Sequence, residues 1–266
     1  MVKPKILVLS GYGINCEEET KFAFQVAGAD ADLVHINDLI QSCRKLLDYQ
    51  ILALPGGFSY GDDTGAGNAL ANRIKNHLES EIKAFIEDDN LVIGICNGFQ
   101  VMANLGLLPA LNNNYGERQV ALVHNDSARY YNRWVDLEFK GSNPWVQNIG
   151  IISLPIAHGE GKFYTDVETL TQIKNKGLIA AQYVSGEICR YQSLKPNPNG
   201  SLEDIAAITD ESGRIFGIMP HPERAICFTH LPSWTLLKEK AKRECKELPN
   251  EGPGLKIFRN AVKYFE

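Results

Sequence analysis

Cys96 is the residue of this chain that is best placed to act as a nucleophile. It follows an apolar run, Leu91–Ile95, that predicts a buried strand, and it precedes a helical pattern that begins at Gly98. A cysteine at such a turn lies at a helix N-terminus, where free N–H groups and the helix dipole favour the thiolate. With Gly94 on the other side, the segment has the Gly-x-nucleophile-x-Gly spacing of a nucleophile elbow, with cysteine replacing serine. The alternative is a structural cysteine, since free cysteine is among the most buried residue types.

His221 is the candidate base for this nucleophile, because it directly follows a predicted strand and has a carboxylate nearby. Glu223 lies two residues on, and positions i and i+2 of an extended segment face the same way. Pro220 and Pro222 favour that extended conformation. The carboxylate would fix the imidazole tautomer and stabilise the imidazolium, as the third member of a triad does. The alternative is a surface histidine in a proline-rich turn.

A glycine-rich segment after another predicted strand is a candidate oxyanion-binding loop. It reads Leu54-Pro55-Gly56-Gly57-Phe58-Ser59-Tyr60-Gly61-Asp62. Adjacent glycines at the carboxyl end of a strand let backbone N–H groups approach an oxyanion, although the same residues also form tight turns without a ligand. The segment lacks the Gly-Lys-Ser/Thr of a P-loop. Gly11-Tyr12-Gly13 lacks the third glycine of a dinucleotide fingerprint, so no Rossmann cofactor site is predicted.

The spacing of His158 and Glu160 matches part of the zinc deaminase signature. The Pro-Cys-x-x-Cys that completes the signature is absent, so we interpret Ala157–Gly161 as a loop at the edge of the site. The other histidines divide into two distant candidates, His124 and His230, and two that we expect to be structural, His35 and His77.

The composition predicts a globular protein whose ligands are small molecules or proteins. The chain has 266 residues, of which 44% are hydrophobic, and a formal net charge of -5. A negative net charge does not favour binding to nucleic acid or to an anionic membrane. No signal-peptide pattern or membrane-length apolar stretch is present, and the cysteines form no C-x-x-C pair, so we expect a cytoplasmic protein with reduced thiols. The cysteines are Cys16, Cys43, Cys96, Cys189, Cys227 and Cys245.

The first half of the chain alternates short apolar runs with helical patterns, which predicts a parallel sheet with crossover helices. Its predicted strands are Ile6–Ser10, Ala31–Ile36, Gln50–Leu54 and Leu91–Ile95. The second half predicts a mixed or antiparallel arrangement. Its predicted strands are Gln119–Val123, Trp134–Phe139, Ile151–Ile156, Leu178–Val184, Asp204–Ile208 and Ile215–Met219. The fold class is therefore α/β with a central, mostly parallel sheet flanked by helices, and no linker divides the single domain predicted over residues 1–266.

Helices are predicted between these strands and at the end of the chain. The first is predicted from a capping box, Asn15 with Glu18, from Phe22 and Val26 as an apolar pair, and from a stop at Gly28. The others are a short helix over Asp38–Leu47, a longer one with apolar residues from Leu70 to Phe85, one after Cys96 that ends near Gly106, a charged one over Ser233–Lys246, and a last one over Ile257–Phe265 with one buried face.

Five segments in this order resemble a known family. They are Pro55–Asp62, Gly94–Gln100, Pro155–Gly161, Asn197–Ser201 and Met219–Ala225, and the resemblance spans about residues 5–265. The chain closely resembles the glutaminase subunits of phosphoribosylformylglycinamidine synthase, which are class I (triad-type) glutamine amidotransferases of purine biosynthesis. Two departures are Asp63-Thr64-Gly65, where a bulkier and more basic sequence is expected, and the charged helix near Lys238–Lys246.

The resemblance implies a catalytic triad. Cys96 would attack the side-chain amide of glutamine, His221 would shuttle protons and Glu223 would orient His221. By the same resemblance, the N–H groups of Gly57 and Asn97 would form the oxyanion hole.

The resemblance further implies that Gly56 lies beside that hole and that Gln100 helps to hold the substrate. No metal or cofactor is expected in this chain, while ATP and magnesium are expected at the partner. The implied partners are glutamine, a larger synthase subunit that converts formylglycinamide ribonucleotide to its amidine, and a small accessory subunit. Two alternatives stay open: a cysteine hydrolase or amidotransferase that serves another pathway, and a catalytically silent scaffold.

Overall fold

The computed structural model describes residues 3–42, 45–63 and 65–266. Cys43, Thr64 and part of the helix predicted over Asp38–Leu47 lie outside the described residues. The described strands are β1 (Lys5–Ser10), β2 (Asp30–His35), β3 (Ile51–Leu54), β4 (Leu91–Ile95), β5 (Ala121–Val123), β6 (Tyr131–Phe139), β7 (Ile151–His158), β8 (Lys162–Tyr164), β9 (Ile179–Val184), β10 (Ile205–Thr209) and β11 (Ile215–Ile218).

Within the described residues, nine strands form one sheet in the order β2-β1-β3-β4-β11-β10-β9-β6-β7. Strands β2, β1, β3, β4 and β11 pair in parallel, and β10, β9, β6 and β7 continue the sheet by antiparallel pairing. The predicted change from a parallel first half to a mixed second half is confirmed. Strands β5 and β8 form a separate antiparallel pair.

The α-helices are α1 (Glu17–Ala27), α2 (Ile36–Ile40), α3 (Asn68–Glu87), α4 (Asn97–Asn104), α5 (Val167–Asn175), α6 (Glu187–Gln192), α7 (Trp234–Arg243) and α8 (Leu255–Lys263). Short 3-10 turns occupy Leu46–Asp48, Leu111–Asn113, Leu202–Asp204, Pro222–Arg224 and Phe228–His230. Among the helices of the described residues, none has the length and apolar character needed to cross a membrane.

Two details of the first helix differ from the prediction. Cys16, not Asn15, precedes the first helical residue, and the Cys16 side chain makes no capping hydrogen bond. The Asn15 N–H donates to Gly56 O (3.3 Å), outside the helix. Phe22 and Val26 are exposed, since the buried face is formed by Thr20, Ala23, Phe24 and Ala27. The predicted stop is confirmed, because Gly28 adopts the left-handed conformation at the C-terminus of α1.

The apolar periodicity of the sequence predicts some of the remaining helices correctly and others only in part. Helix α8 buries one face, as predicted, and no residue of α7 is buried, which fits its prediction as a charged surface helix. The predicted Asp38–Leu47 helix is divided, with α2 at its start and the 3-10 turn Leu46–Asp48 at its end. Strand β8 and helices α5 and α6 were not predicted.

The sheet brings the predicted site together. The carboxyl ends of parallel strands lie at the same edge, where ligands of open α/β sheets bind. The loops after β1, β3, β4 and β11 all leave this edge, and Ile95 at the end of β4 is in register with Ile218 of β11. These loops carry the cysteine, the paired glycines and the His-x-Glu pair.

Candidate active site

Cys96 forms a strained turn between β4 and α4. Its φ of 51° and ψ of -105° lie in a region of backbone conformation that residues other than glycine rarely adopt. Its N–H donates to Ile218 O (2.8 Å), and its carbonyl accepts from the Gln100 N–H (3.1 Å), which begins the helix. Neighbouring strand and helix thus hold the strained conformation in place, and the elbow predicted from the sequence is present.

The glycines on either side of Cys96 are required by packing rather than by substrate approach. A Cβ at Gly98 would overlap Leu54 O, and a Cβ at Gly94 would overlap Met102 Sδ. Both neighbours are protein atoms of the sheet and helix. The glycine spacing of the predicted elbow is therefore explained by packing of the helix against the sheet, and the space beside both glycines is filled by the protein.

His221 and Glu223 form a buried pair at the end of β11. The ring Nδ1 lies 2.5 Å from Glu223 Oε1, and both residues are 1% exposed. The His221 N–H donates to Pro155 O (2.8 Å), which joins this segment to β7. Although burial lowers the pKa of His221, the negative charge of Glu223 and the Cys96 sulfur together raise it well above its ordinary value.

The edge of the His221 imidazole that carries Nε2 has no hydrogen-bond partner within ordinary limits among the described residues. The Cys96 sulfur is nevertheless close enough to raise the pKa of the ring. Cys96 Sγ also lies 3.8 Å from Ala157 O, at the end of β7. Long contacts of this kind are common in unliganded active sites and shorten when the substrate is bound.

The paired glycines form a loop that is held against the segment after β1. Gly57 lies opposite Ile14 in an isolated antiparallel bridge, flanked by hydrogen bonds from Asn15 N to Gly56 O and from Phe58 N to Gly13 O. Those two bonds leave the Gly57 N–H unused. The Gly57 φ of 150° and the close approach of Gly13 O, 2.7 Å from where a Cβ would lie, both require glycine.

Asn97 and Gln100 tie the start of α4 to two loops of the site. Asn97 Oδ1 accepts from the Ser59 N–H (3.3 Å), and its Nδ2 donates to Gln100 Oε1 (2.9 Å). Gln100 Nε2 in turn donates to Glu160 O (2.5 Å). Because Asn97 is the first residue of α4, its backbone N–H has no partner within the helix. The substrate contact expected of Gln100 stays a prediction, since both ends of its amide are used here.

His158 lies at the end of β7 rather than in a loop, which corrects the interpretation of Ala157–Gly161. It is 2% exposed, and burial together with the nearby His221 lowers its pKa to about 3. Asn125 donates through Nδ2 to His158 O and to Arg129 O, so Asn125 Oδ1 is left to accept from the His158 Nδ1–H (3.1 Å) and from Gly161 N. The imidazole is therefore neutral, with its proton on Nδ1.

The other histidines take structural or surface positions. His35 Nδ1 accepts from the Asn37 N–H (3.2 Å) and so caps α2, as expected of a structural residue. His124 is exposed and lies 3.5 Å from Glu160 Oε1, at the edge of the site. His77 and His230 are exposed, on α3 and in the 3-10 turn Phe228–His230.

Sequence reasoning missed three residues that the structure places at the site. Cys16 is fully buried and accepts a hydrogen bond from Arg224 Nη2 (2.8 Å). Tyr130 is half exposed and its ring is tilted against that of Phe58 (6.2 Å between ring centroids), and burial together with the neighbouring Cys96 raises the pKa of Tyr130. Cys16 and Tyr130 lie outside the five segments that carry the resemblance, and Arg224 lies within Met219–Ala225 without a role assigned to it there.

One group of described residues has the spacing of a metal site. One ligand atom from each of Cys16, His221 and Glu223 lies within 4.8 Å of the other two. The Glu223 carboxylate is already bonded to His221, and the guanidinium of Arg224 donates to the Cys16 sulfur. The guanidinium of Arg224 would lie directly beside any cation bound to the Cys16 sulfur and would repel it, so these residues do not fit a resident metal.

Comparisons with known proteins agree with this geometry. A family model described as the CobB/CobQ-like glutamine amidotransferase domain matches residues 3–265. The chain is 51% identical to "Phosphoribosylformylglycinamidine synthase subunit PurQ" of Methanococcus maripaludis over 267 residues, which cover 99% of this chain and 98% of that protein. It is 41% identical to the protein of the same name from Dehalococcoides mccartyi, over 99% of this chain and 98% of that protein.

Two solved structures with lower sequence identity have the same fold. A chain of the "Structure of PurLQS from Thermotoga maritima" superimposes with a TM-score of 0.72 at 28% identity, and each chain is covered completely. A glutamine amidotransferase from Thermotoga maritima, 13% identical with a TM-score of 0.54 over 99% of this chain and 98% of that one, shares the fold. The chain therefore belongs to the CobB/CobQ-like glutamine amidotransferases and, among them, to the PurQ subunits of phosphoribosylformylglycinamidine synthase.

Proposed function

We propose that this chain is the glutaminase subunit of a phosphoribosylformylglycinamidine synthase, with Cys96, His221 and Glu223 as its catalytic triad. The observation that carries the proposal is a strained cysteine elbow beside a buried, hydrogen-bonded His-Glu pair at the carboxyl edge of a parallel sheet. Such an arrangement suits attack on a carbonyl carbon followed by proton transfer to the leaving group.

In the first half of the reaction, the Cys96 thiolate attacks the side-chain amide carbon of glutamine and forms a C–S bond. The N–H groups of Gly57 and Asn97 are our candidates for stabilising the oxyanion, since neither is used by the hydrogen bonds described above. The imidazolium of His221 gives its proton to the amide nitrogen and the C–N bond breaks. Ammonia is released, and a γ-glutamyl thioester remains on Cys96. The raised pKa of His221 supports its role as the proton donor.

In the second half, water replaces ammonia. His221, now neutral, takes a proton from the water as its oxygen attacks the thioester carbon, and the C–S bond breaks to release glutamate. The sum is glutamine plus water giving glutamate plus ammonia. Glu223 holds the ring through Nδ1 throughout, so that Nε2 faces the reacting atoms.

The ammonia would pass to a larger synthase subunit that uses ATP and magnesium to convert formylglycinamide ribonucleotide to its amidine. The similarity to a chain of PurLQS from Thermotoga maritima supports an assembly of this kind. A small accessory subunit would complete the proposed complex. This chain itself would need no cofactor. We also propose a cytoplasmic location, which suits the free thiols of the five described cysteines.

The experiment that tests the triad is replacement of Cys96 by serine, with glutamate and ammonia measured in the complete complex. We expect kcat to fall by about a millionfold, as when the nucleophile of a triad enzyme is removed. Cys189→Ser is the matched control, because Cys189 is also buried but lies on α6. Near-normal activity of Cys96→Ser would overturn the assignment.

A diazoketone analogue of glutamine gives a second, independent measurement. The thiolate should displace dinitrogen from the analogue and form a stable thioether, which peptide mass spectrometry can locate. We expect a single label on Cys96 in the wild-type protein and none in Cys96→Ser. A label on another cysteine that accompanies loss of activity would contradict the proposal.

A further inference from the structure

Cys16 is a second buried cysteine that contacts the catalytic base pair but takes no part in the proposed chemistry. It is 0% exposed, and one ligand atom from each of Cys16, His221 and Glu223 lies within 4.8 Å of the other two. The Cys16 sulfur also helps to raise the pKa of His221. The sulfur therefore lies in the immediate surroundings of the base.

Backbone and side-chain bonds fix Cys16 firmly in this place. Its N–H donates to Gly56 O (3.2 Å), and its carbonyl accepts from the Thr20 N–H (3.0 Å) and the Thr20 hydroxyl (2.7 Å). The sulfur donates to Asn15 Oδ1 (3.3 Å) and accepts from Arg224 Nη2 (2.8 Å). Position 16 thus offers the sulfur one fixed orientation.

Gly56 lies close to both the Cys16 sulfur and the imidazole ring of His221. A Cβ at position 56 would lie 2.7 Å from His221 Cε1, and 3.3 Å from both the Cys16 sulfur and His221 Nδ1. The Nδ1–Cε1 edge of the ring is therefore packed against Gly56, and the Cys16 sulfur is packed against the same glycine.

Arg224 links the sulfur to the carboxylate of the triad. Its Nη2 donates to Cys16, and its Nε lies 3.8 Å from Glu223 Oε1. Cys16, Arg224 and Glu223 therefore form one chain of polar contacts along the ring edge that carries Nδ1. This chain leaves Nε2 free for Cys96 and the substrate.

We propose that Cys16 is a positioning residue for His221 and that it holds the imidazole in the orientation needed for proton transfer. The proposal rests on the proposed function, since it assumes that His221 is the proton carrier. The charged and titratable groups around His221 are Glu223 and Arg224 on its own segment, Cys96 before α4, Cys16 before α1, His158 at the end of β7, and Tyr130. Among these, Glu223 contacts Nδ1, and the Cys16 sulfur lies beside Gly56, which packs against the Nδ1–Cε1 edge of the ring.

The test compares Cys16→Ala and Cys16→Ser by the pH dependence of kcat/KM for glutamine in the complete complex. Loss of the sulfur should lower the pKa of His221, so the alkaline limb should move to lower pH by roughly half a unit to one unit in Cys16→Ala. We expect kcat to fall about 2- to 10-fold, the size of one hydrogen bond, with KM unchanged within about twofold. Cys16→Ser, whose hydroxyl can keep both partners, should lie between Cys16→Ala and the wild type.

Cys189→Ala is the control, because it removes another buried thiol, on α6 and held by Asp136 of β6, and should leave the alkaline limb in place. A limb that stays at the wild-type pH in the Cys16 variants, whether or not kcat falls, would overturn the proposal and leave Cys16 a packing residue. If Cys16→Ala does not fold, the limb of Cys16→Ser decides. Failure of the proposed function is distinguishable, since it would appear as activity in Cys96→Ser.

Discussion

The main chain of Gly98, the second residue of α4, packs directly against the carbonyl oxygen of Leu54 at the end of β3. This contact joins the helix that follows the nucleophile to the strand that precedes the paired glycines. The distance between Cys96 and the Gly56-Gly57 loop is therefore set by backbone packing, which is stiffer than any contact between side chains.

Replacement of Gly98 by alanine should separate these two elements, because the added methyl group would overlap Leu54 O. We expect a loss of about 1–3 kcal/mol in the free energy of unfolding, the usual cost of overpacking, and a loss of glutaminase activity at saturating glutamine. Denaturant titration and the glutaminase assay measure the two effects. Gly11→Ala is the control, since its Cβ would meet Ile36 at an ordinary 3.4 Å. A Gly98→Ala protein with normal stability and activity would show that the elbow tolerates a wider spacing.

Much of the site was predictable because its chemistry is local in sequence. The Cys96 elbow and the His221-x-Glu223 pair each occupy a few consecutive residues, and the apolar runs before them predict the strands correctly. Parallel pairing then places both at one edge of the sheet. The proposed triad thus follows from two short patterns and one topological rule.

The contacts that surround the triad depend on pairings between distant segments, which no local pattern predicts. Cys16 meets Arg224 only because the loop after β1 lies beside the loop after β11. Strand β8 has three residues and is stabilised by β5, far away in the chain. Helix α5 buries only Ile173, so its apolar periodicity is weak, and its N-cap is Asp166, whose Oδ1 accepts from the Thr169 N–H.

Loss of the carboxylate should cost less activity than loss of the base. We expect Glu223→Gln to retain more activity than His221→Ala, because glutamine can still bond to Nδ1 while alanine removes the proton carrier. Glu223 raises the pKa of His221, so the alkaline limb of kcat/KM should also move to lower pH in Glu223→Gln. Rates at saturating glutamine and a pH profile check both expectations. A greater loss in Glu223→Gln than in His221→Ala would contradict the assigned roles.

His158 should make the stability of the protein depend on acid. Its pKa is about 3 in the folded chain against an ordinary 6.5, so below pH 6.5 the unfolded chain binds a proton that the folded chain does not. Stability should then fall as the pH falls through this window, by up to about 1.4 kcal/mol per pH unit.

The variant His158→Gln keeps a donor for Asn125 but does not titrate, so we expect a flatter dependence of unfolding free energy on pH between about pH 4 and 6. Urea titrations at several pH values measure the slope. The exposed His77 provides the control, because His77→Gln should leave the slope as in the wild type. An unchanged slope in His158→Gln would mean that other groups carry the acid sensitivity.

The isolated chain should be a poor glutaminase that its synthase partner activates, because ammonia released without an acceptor is wasted. The Gly57 N–H is the candidate for control, since one oxyanion donor is worth roughly 10²- to 10³-fold in kcat. The structure sets a condition on such gating: two hydrogen bonds, Asn15 N to Gly56 O and Phe58 N to Gly13 O, flank Gly57 and hold the loop. Movement of the loop must break these bonds or turn the Gly56-Gly57 peptide between them.

Glutamine hydrolysis should therefore be measured for the purified chain alone, then with the larger subunit, and then with ATP and the ribonucleotide substrate added. We expect activation of about 10²- to 10³-fold in the last mixture, the value of one oxyanion donor, with little change in KM if the donor acts in the transition state. Cys96→Ser in the same mixtures is the control, since any ammonia it yields comes from elsewhere. Full activity of the lone chain, unchanged by the partner, would reject gating and favour a hydrolase that works independently. Activation that appears with the larger subunit before any nucleotide is added would assign the loop's movement to docking rather than to the synthase reaction.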